Sequence, residues 1–169
     1  MKKIHETFAL PVIACVAALG ATAASAKDAI RYKGPNPDMP IAQAVEVPAG
    51  QAIVFLSGSV PDVADKAAPK DSPQAFGDTK TQTVSVLKKI EATLKSMNLT
   101  MQDVVKMQVF LVGDPTREGK MDFPGLMDGY RQFFGTKEQP NLPARSVVKV
   151  AGLANPGWLV EIEVTAMRK

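Results

Sequence analysis

The chain has 169 residues, with 20 Lys and Arg against 17 Asp and Glu, a net charge of +3. So balanced a charge gives no electrostatic footprint for nucleic acid. The single His and single Cys, His5 and Cys15, both lie near the front. The first segment in chain order decides their fate. Lys2 and Lys3 precede an uncharged apolar run from Phe8 to Gly20, and Ala24-Ser25-Ala26 is a small-x-small site followed by Lys27-Asp28. This is the pattern of a secretory signal peptide over residues 1–26. It predicts cleavage near Ala26, a periplasmic or secreted mature protein, and no membrane association of that mature form. Two alternatives stay open. A membrane anchor would need about 20 apolar residues, and lipoprotein processing at Cys15 would use Val12-Ile13-Ala14-Cys15.

Residues 27–169 are long enough for one domain with one core. Setting aside Lys2, Lys3 and Glu6 leaves 18 basic against 16 acidic residues. With no His or Cys, this stretch excludes Ser-His-Asp and Cys-His nucleophiles, imidazole acid–base catalysis, thiolate or His metal sites and disulfides. No Walker, dinucleotide or EF-hand motif is present, and no metal or cofactor is expected. Chemistry must come from Arg, Lys, Asp, Glu, Tyr, Ser, Thr or the backbone.

Ala29 to Lys33 is a short strand candidate. Ala42 to Val47 and Gln51 to Leu56 flank Pro48-Ala49-Gly50, which reads as a hairpin turn. Ile53-Val54-Phe55-Leu56 has the β-branched and aromatic character of a buried strand. Pro61 to Gly77 holds three prolines and reads as a surface loop. Asp78 is an N-cap for a helix from Thr79 to Met97, whose stripe is Thr83, Val86, Leu87, Ile90, Leu94 and Met97. Asn98 can take the left-handed residue that ends it. Val104 to Val112 is the strongest strand. A second helix is expected from Asp122 to Phe134, stopped by Gly135. Ala144 to Val150 and Trp158 to Met167 complete the chain as strands joined by residues 152–157. The order βββαβαββ predicts an α+β fold with two helices on one face of a mixed sheet. Val104 to Val112 is apolar on both sides, so the face opposite the helices should also be covered. That predicts a homo-oligomer packed through the open face.

The polar residues with most chemical content are Arg145, Lys149, Glu161 and Glu163. Two prolines in Gln139-Pro140-Asn141-Leu142-Pro143 fix the approach to Arg145. If the last two strands pair, Arg145 and Glu161 could form a buried ionic site, with Arg145 forking a carboxylate and Glu161 serving as acid or base. The competing reading is a cross-strand charge ladder with Lys149 near Glu161, worth roughly 0.2–1 kcal/mol. Ser57-Gly58-Ser59 reads as a turn where a ligand could approach backbone amides. Tyr130 reads as a core residue with its hydroxyl at the edge.

Several segments together resemble the YjgF/RidA family of reactive intermediate deaminases. They are Ile53-Val54-Phe55-Leu56-Ser57-Gly58, Leu87-Lys88-Lys89-Ile90-Glu91, Asp103 to Leu111, Tyr130-Arg131-Gln132-Phe133-Phe134, Pro143-Ala144-Arg145-Ser146 and Val160-Glu161-Ile162-Glu163-Val164. The resemblance implies a chorismate-mutase-like fold, a homotrimer with pockets between subunits, and metal-free hydrolysis of 2-imino or enamine acids to 2-keto acids and ammonia. It implies Arg145 as carboxylate anchor and Glu161 as the residue that positions water. Ser57, Gly58, Val147 and Tyr130 would line the pocket. Where well-known members have a pocket Tyr, Asn and Cys, this chain has Ile41, Met127 and Val147. Two other functions stay open: a non-catalytic trimer that binds small carboxylates or unfolded clients, and the family's older label of ribonuclease. The near-neutral charge and missing His argue against the latter.

Overall fold

A computed structural model describes residues 27–169; the expected signal segment, with His5 and Cys15, lies outside them. Six strands form one sheet: β1 (Ile30–Lys33), β2 (Ala42–Glu46), β3 (Ala52–Ser59), β4 (Val104–Val112), β5 (Ala144–Val150) and β6 (Val160–Arg168). Three helices accompany them, α1 (Pro73–Phe76), α2 (Thr79–Ser96) and α3 (Phe123–Tyr130). The strand order is β1-β2-β5-β4-β6-β3. β4–β5 and β5–β2 are parallel and the other pairs antiparallel. The fold is α+β with a mixed sheet, as expected.

The long helix forms for the reasons its sequence states. The Asp78 carboxylate accepts from Thr81 N–H at 2.8 Å and caps the first turn. Val86, Leu87, Ile90 and Leu94 are fully buried along one stripe. Asn98 ends the helix at φ +56°. α3 crosses α2 where Gly129 meets Thr83. A Cβ on Gly129 would come within 2.8 Å of the Thr83 side chain, so glycine sets how closely the helices approach.

Four expectations need correction. Pro48-Ala49-Gly50 is not a hairpin turn, because β2 and β3 do not pair and three strands lie between them. β5 and β6 do not pair either: β4 sits between them, parallel to one and antiparallel to the other. The most continuously apolar strand takes the central position, where both neighbours protect it. The linker from β5 crosses the end of β4, where Val112 N–H donates to Leu159 O at 2.9 Å. Fully buried Gln82 holds it on α2, donating to Gly157 O and accepting from Leu159 N–H.

The third correction concerns the helices. α3 stops at Tyr130 rather than Phe134. The N–H groups of Phe133 and Phe134 both turn back to Tyr130 O, which brings Phe134 into a stack on Tyr130 at 4.8 Å. The last concerns the 61–77 segment. It contains α1, whose Ala75 and Phe76 are buried, with Phe76 edge-on to Trp158. Ala64 and Asp65 N–H donate to Ala75 O, so the segment is pinned at both ends.

β3 is buried on one side only. Val54 and Leu56 pack on the core, while Phe55 is 80% and Ile53 40% exposed. On the face away from the helices β4 contributes Lys106, Gln108 and Phe110, and β6 contributes Glu161, Glu163 and Thr165. The open face is therefore polar along its centre and apolar at Phe55 and Val148.

Candidate functional site

Arg145 stands in β5 beside Met107 of β4 and points toward the helix layer. Its guanidinium carbon lies 4.3 Å from the centre of the Tyr130 ring. Nη2 donates to the Met127 sulfur at 3.2 Å. Nε and Nη1 are buried and have no hydrogen-bond partner. Burial pushes the Arg145 pKa down, partly offset by Tyr130. Among the described residues no carboxylate lies within ion-pair distance of it. A cation–π contact offers about 0.5–2 kcal/mol. Each unpaired buried donor costs about 1–3 kcal/mol. The protein thus holds a buried charged group, two of whose nitrogens its own chain leaves unsatisfied.

Tyr130 supports this arrangement from below. Its hydroxyl donates to Pro40 O at 2.9 Å, and burial raises its pKa, so it stays a neutral phenol. The expectation of a core ring holds, whereas its hydroxyl is buried against the backbone rather than standing at the edge. Val147 follows on Arg145's face of β5 and packs against the core. Arg31 was not legible as a contributor. It donates to Val104 O, Leu142 O and Gln102 O, which fixes the segment entering Arg145. No periodicity or motif marks it, because its partners are backbone carbonyls distant in sequence.

Glu161 lies elsewhere. It pairs with Phe110 of β4, three residues along from Met107, about 10 Å at the usual rise per residue. An odd offset places it on the opposite face of the sheet. Arg145 and Glu161 therefore do not form an ionic site within one chain. The charge ladder fails for the same reason: Lys149 pairs with Leu111 and donates to Gly119 O at 2.6 Å, and Glu163 faces Gln108. The strand between them separates both pairs.

Glu161 instead meets Gly58, which Ser57 precedes in β3. These are the end of β3 rather than a turn, and the β3–β6 register shifts between Leu56 and Ser59. A Cβ on Gly58 would collide with the Glu161 carboxyl group, so the acid occupies the space glycine leaves. A concavity of about 290 Å³ lies alongside, lined by Phe55, Ser57, Lys106, Gln108, Glu163 and Thr165 among others. The predicted site residues thus form two half-sites on opposite faces, Arg145 with Tyr130 and Val147, and Glu161 with Ser57 and Gly58. Among the described residues no three His, Cys, Asp or Glu cluster as metal ligands, and no helix is long and apolar enough to cross a membrane.

The fold and the two half-sites define an α+β protein of the YjgF type. Residues 33–168 match the family described as Endoribonuclease L-PSP, and the chain belongs to that family, also known as YjgF/RidA. It is 32% identical over 135 residues to a RutC family protein of Pyrococcus horikoshii, covering 80% of this chain and 92% of the relative. It is 31% identical over 117 residues to the Escherichia coli protein named "Putative reactive intermediate deaminase TdcF", covering 69% and 80%. The structure of E. coli TdcF with bound serine superposes with TM-score 0.53 at 29% identity, covering 85% of this chain and all of that one. The E. coli YjgF gene product gives 0.54 at 30% identity, covering 77% and 89%.

Proposed function

We propose that the protein is an exported homotrimeric deaminase that hydrolyses 2-imino acids to 2-keto acids and ammonia. The observation that carries this reading is the buried Arg145 fork with unpaired Nε and Nη1. A substrate carboxylate supplies the missing acceptors and neutralises the charge. The name of TdcF and the serine in its structure support an amino-acid-like ligand.

The second half-site supplies the acid–base group. Because Glu161 faces away from Arg145 within one chain, the reading joins Arg145 of one subunit with the Ser57-Gly58-Glu161 cluster of the next. Exposed Phe55 and Ile53 on that face are the apolar surface such packing would cover. The reaction needs little beyond this. Water adds to the electrophilic carbon of the protonated imine while Glu161 takes one of its protons, giving a neutral carbinolamine. Glu161 returns that proton to the nitrogen, which becomes an ammonium group. Glu161 then takes the hydroxyl proton as the carbonyl forms, the C–N bond breaks and ammonia departs. Orientation by Arg145 and acid–base help of roughly 10²–10⁴-fold suffice, with no metal or His required.

A second reading has its own observation. Met127 and Val147 make the surroundings of Arg145 apolar, which suits a carboxylate-binding protein without turnover. The test generates imines with an amino-acid oxidase and follows their decay. Acceleration by the wild type that disappears in Arg145→Ala supports the deaminase. Thermal stabilisation by 2-keto acids without acceleration supports the binder. Equal decay rates with wild type and Arg145→Ala exclude the deaminase.

A further inference from the structure

Met127 makes a contact that the proposed hydrolysis does not use. It stands about one turn before Tyr130 in α3 and is 7% exposed, so it is not sealed from a small neutral molecule. Its sulfur accepts from Arg145 Nη2 at 3.2 Å, while Nε and Nη1 of the same guanidinium are buried without a partner. A thioether is a weak acceptor. A cation with two idle nitrogens is therefore held against a side chain that has no oxygen to offer them. Methionine is also the side chain that can acquire one, because a two-electron oxidant converts it reversibly to a sulfoxide. Met101 gives an internal comparison. It is buried to a similar degree, at 5% exposed, and belongs to the same core cluster. It lies ahead of β4, where its carbonyl accepts from Gln139, rather than beside Arg145.

We propose that Met127 is a sulfoxidation site, and that its sulfoxide oxygen becomes the acceptor for the Arg145 guanidinium. The oxidant is a hydroperoxide. A sulfur lone pair attacks the peroxide oxygen, forming the S–O bond as the O–O bond breaks. The electron pair of that bond stays with the departing oxygen, and the proton on the transferred oxygen passes to it, so hydrogen peroxide leaves as water. Sulfur loses two electrons and the peroxide gains them. The N–H···S bond uses one sulfur lone pair and leaves the other for the attack. The idle N–H groups belong to the guanidinium that already touches the sulfur, so they donate to the departing oxygen as its negative charge grows. The unbranched Met127 side chain then rotates its new oxygen onto the guanidinium, a charge-assisted bond in place of a weak one. Oxidation thereby closes the anchor, because the sulfoxide takes the donors that a ligand carboxylate would use. That consequence rests on the carboxylate role proposed for Arg145, whereas the modification itself does not.

Peptide mass spectrometry after timed exposure of the full chain to hydrogen peroxide reads the modification. Met127 should gain one oxygen at least about tenfold faster than Met101, and Arg145→Leu should bring the two rates together. Equal rates in the wild type, or an excess that persists in Arg145→Leu, would overturn the inference. Guanidinium NMR reads the new bond. The Arg145 Nε–H resonance should shift and exchange more slowly with solvent after oxidation, and revert with methionine sulfoxide reductase. In Met127→Leu it should not respond to peroxide. An unchanged resonance in protein oxidised at Met127 refutes the assigned acceptor. Calorimetry with pyruvate then reads the consequence for ligands. Affinity should fall at least about tenfold on oxidation and survive peroxide in Met127→Leu. Full affinity in the Met127-oxidised protein counts against the inference. If the untreated protein binds no 2-keto acid, the carboxylate role of Arg145 fails, and the mass and NMR outcomes still decide the modification site.

Discussion

Replacing Arg145 by methionine should stabilise the protein while abolishing its ligand binding. Methionine keeps an unbranched stem in the same slot and removes the charge. The loss is the contact with the Tyr130 ring, about 0.5–2 kcal/mol, and a weak N–H···S bond. The gain is relief of two buried unpaired donors at about 1–3 kcal/mol each, together with the burial of the charge itself. Replacing buried ionic groups by apolar residues can stabilise by 1–4 kcal/mol. The guanidinium is not fully enclosed, and solvent screening trims the gain, so about 1 kcal/mol is expected. Urea unfolding at fixed protein concentration would read this as a higher midpoint with unchanged slope. The same variant should show no binding of 2-keto acids. A destabilisation above about 1 kcal/mol with unchanged slope would refute the reasoning, because Arg145 would then be held by its own contacts and would be structural.

The remaining predictions concern the other half-site, the assembly and the scaffold. Gly58→Ala should displace the Glu161 carboxyl group and lower imine turnover as much as Glu161→Gln does, about 10²–10⁴-fold, while 2-keto acid affinity changes little. Phe55→Lys puts a charge at the most exposed aromatic of the open face and should convert a trimer to monomers in gel filtration. Gln82→Leu orphans Gly77 O, Gly157 O and Leu159 N–H, and should cost about 3 kcal/mol or more by urea unfolding. Asp78→Ala should cost about 1 kcal/mol at pH 7. Hydrogen bonds from Thr81 lower the folded pKa of Asp78, so its contribution is complete above the unfolded value near ~3.9 and fades as pH falls through the folded one. The stability gap between wild type and variant should therefore close in acid.

The helices and the central strand were legible because their signals are local. Asp78, the Val86 to Leu94 stripe and Asn98 each act within a few residues of themselves. Pairing was not legible. Pro48-Ala49-Gly50 has the composition of a hairpin turn, yet nothing within the turn says that β3 will cross to the far edge and pair with β6. Residues 152–157 look equally suited to a hairpin. What prevents one is Gln82, some 70 positions earlier, which grips Gly157 and Leu159 and carries the chain across the end of β4. The candidate site residues come from chemistry and family resemblance, and their expected placement in one site depended on the strand order and followed it into error.

That error has a functional consequence. A hairpin of β5 and β6 would have made Arg145 and Glu161 one site in one chain, complete in a monomer. Inserting β4 separates them by face as well as distance. One half-site then holds a cation lacking acceptors, and the other an acid on an exposed sheet face beside Phe55. Neither half has the full set of groups that the proposed imine hydrolysis uses, so that reading couples activity to assembly. Mixing Arg145→Ala and Glu161→Gln chains expresses that coupling directly: each homo-oligomer lacks one half of every site, whereas a mixed oligomer contains intact pairs wherever wild-type halves meet. The strand order that sequence reasoning missed thereby bears on the proposed mechanism, which needs a second copy of the chain to bring acid and anchor onto one substrate.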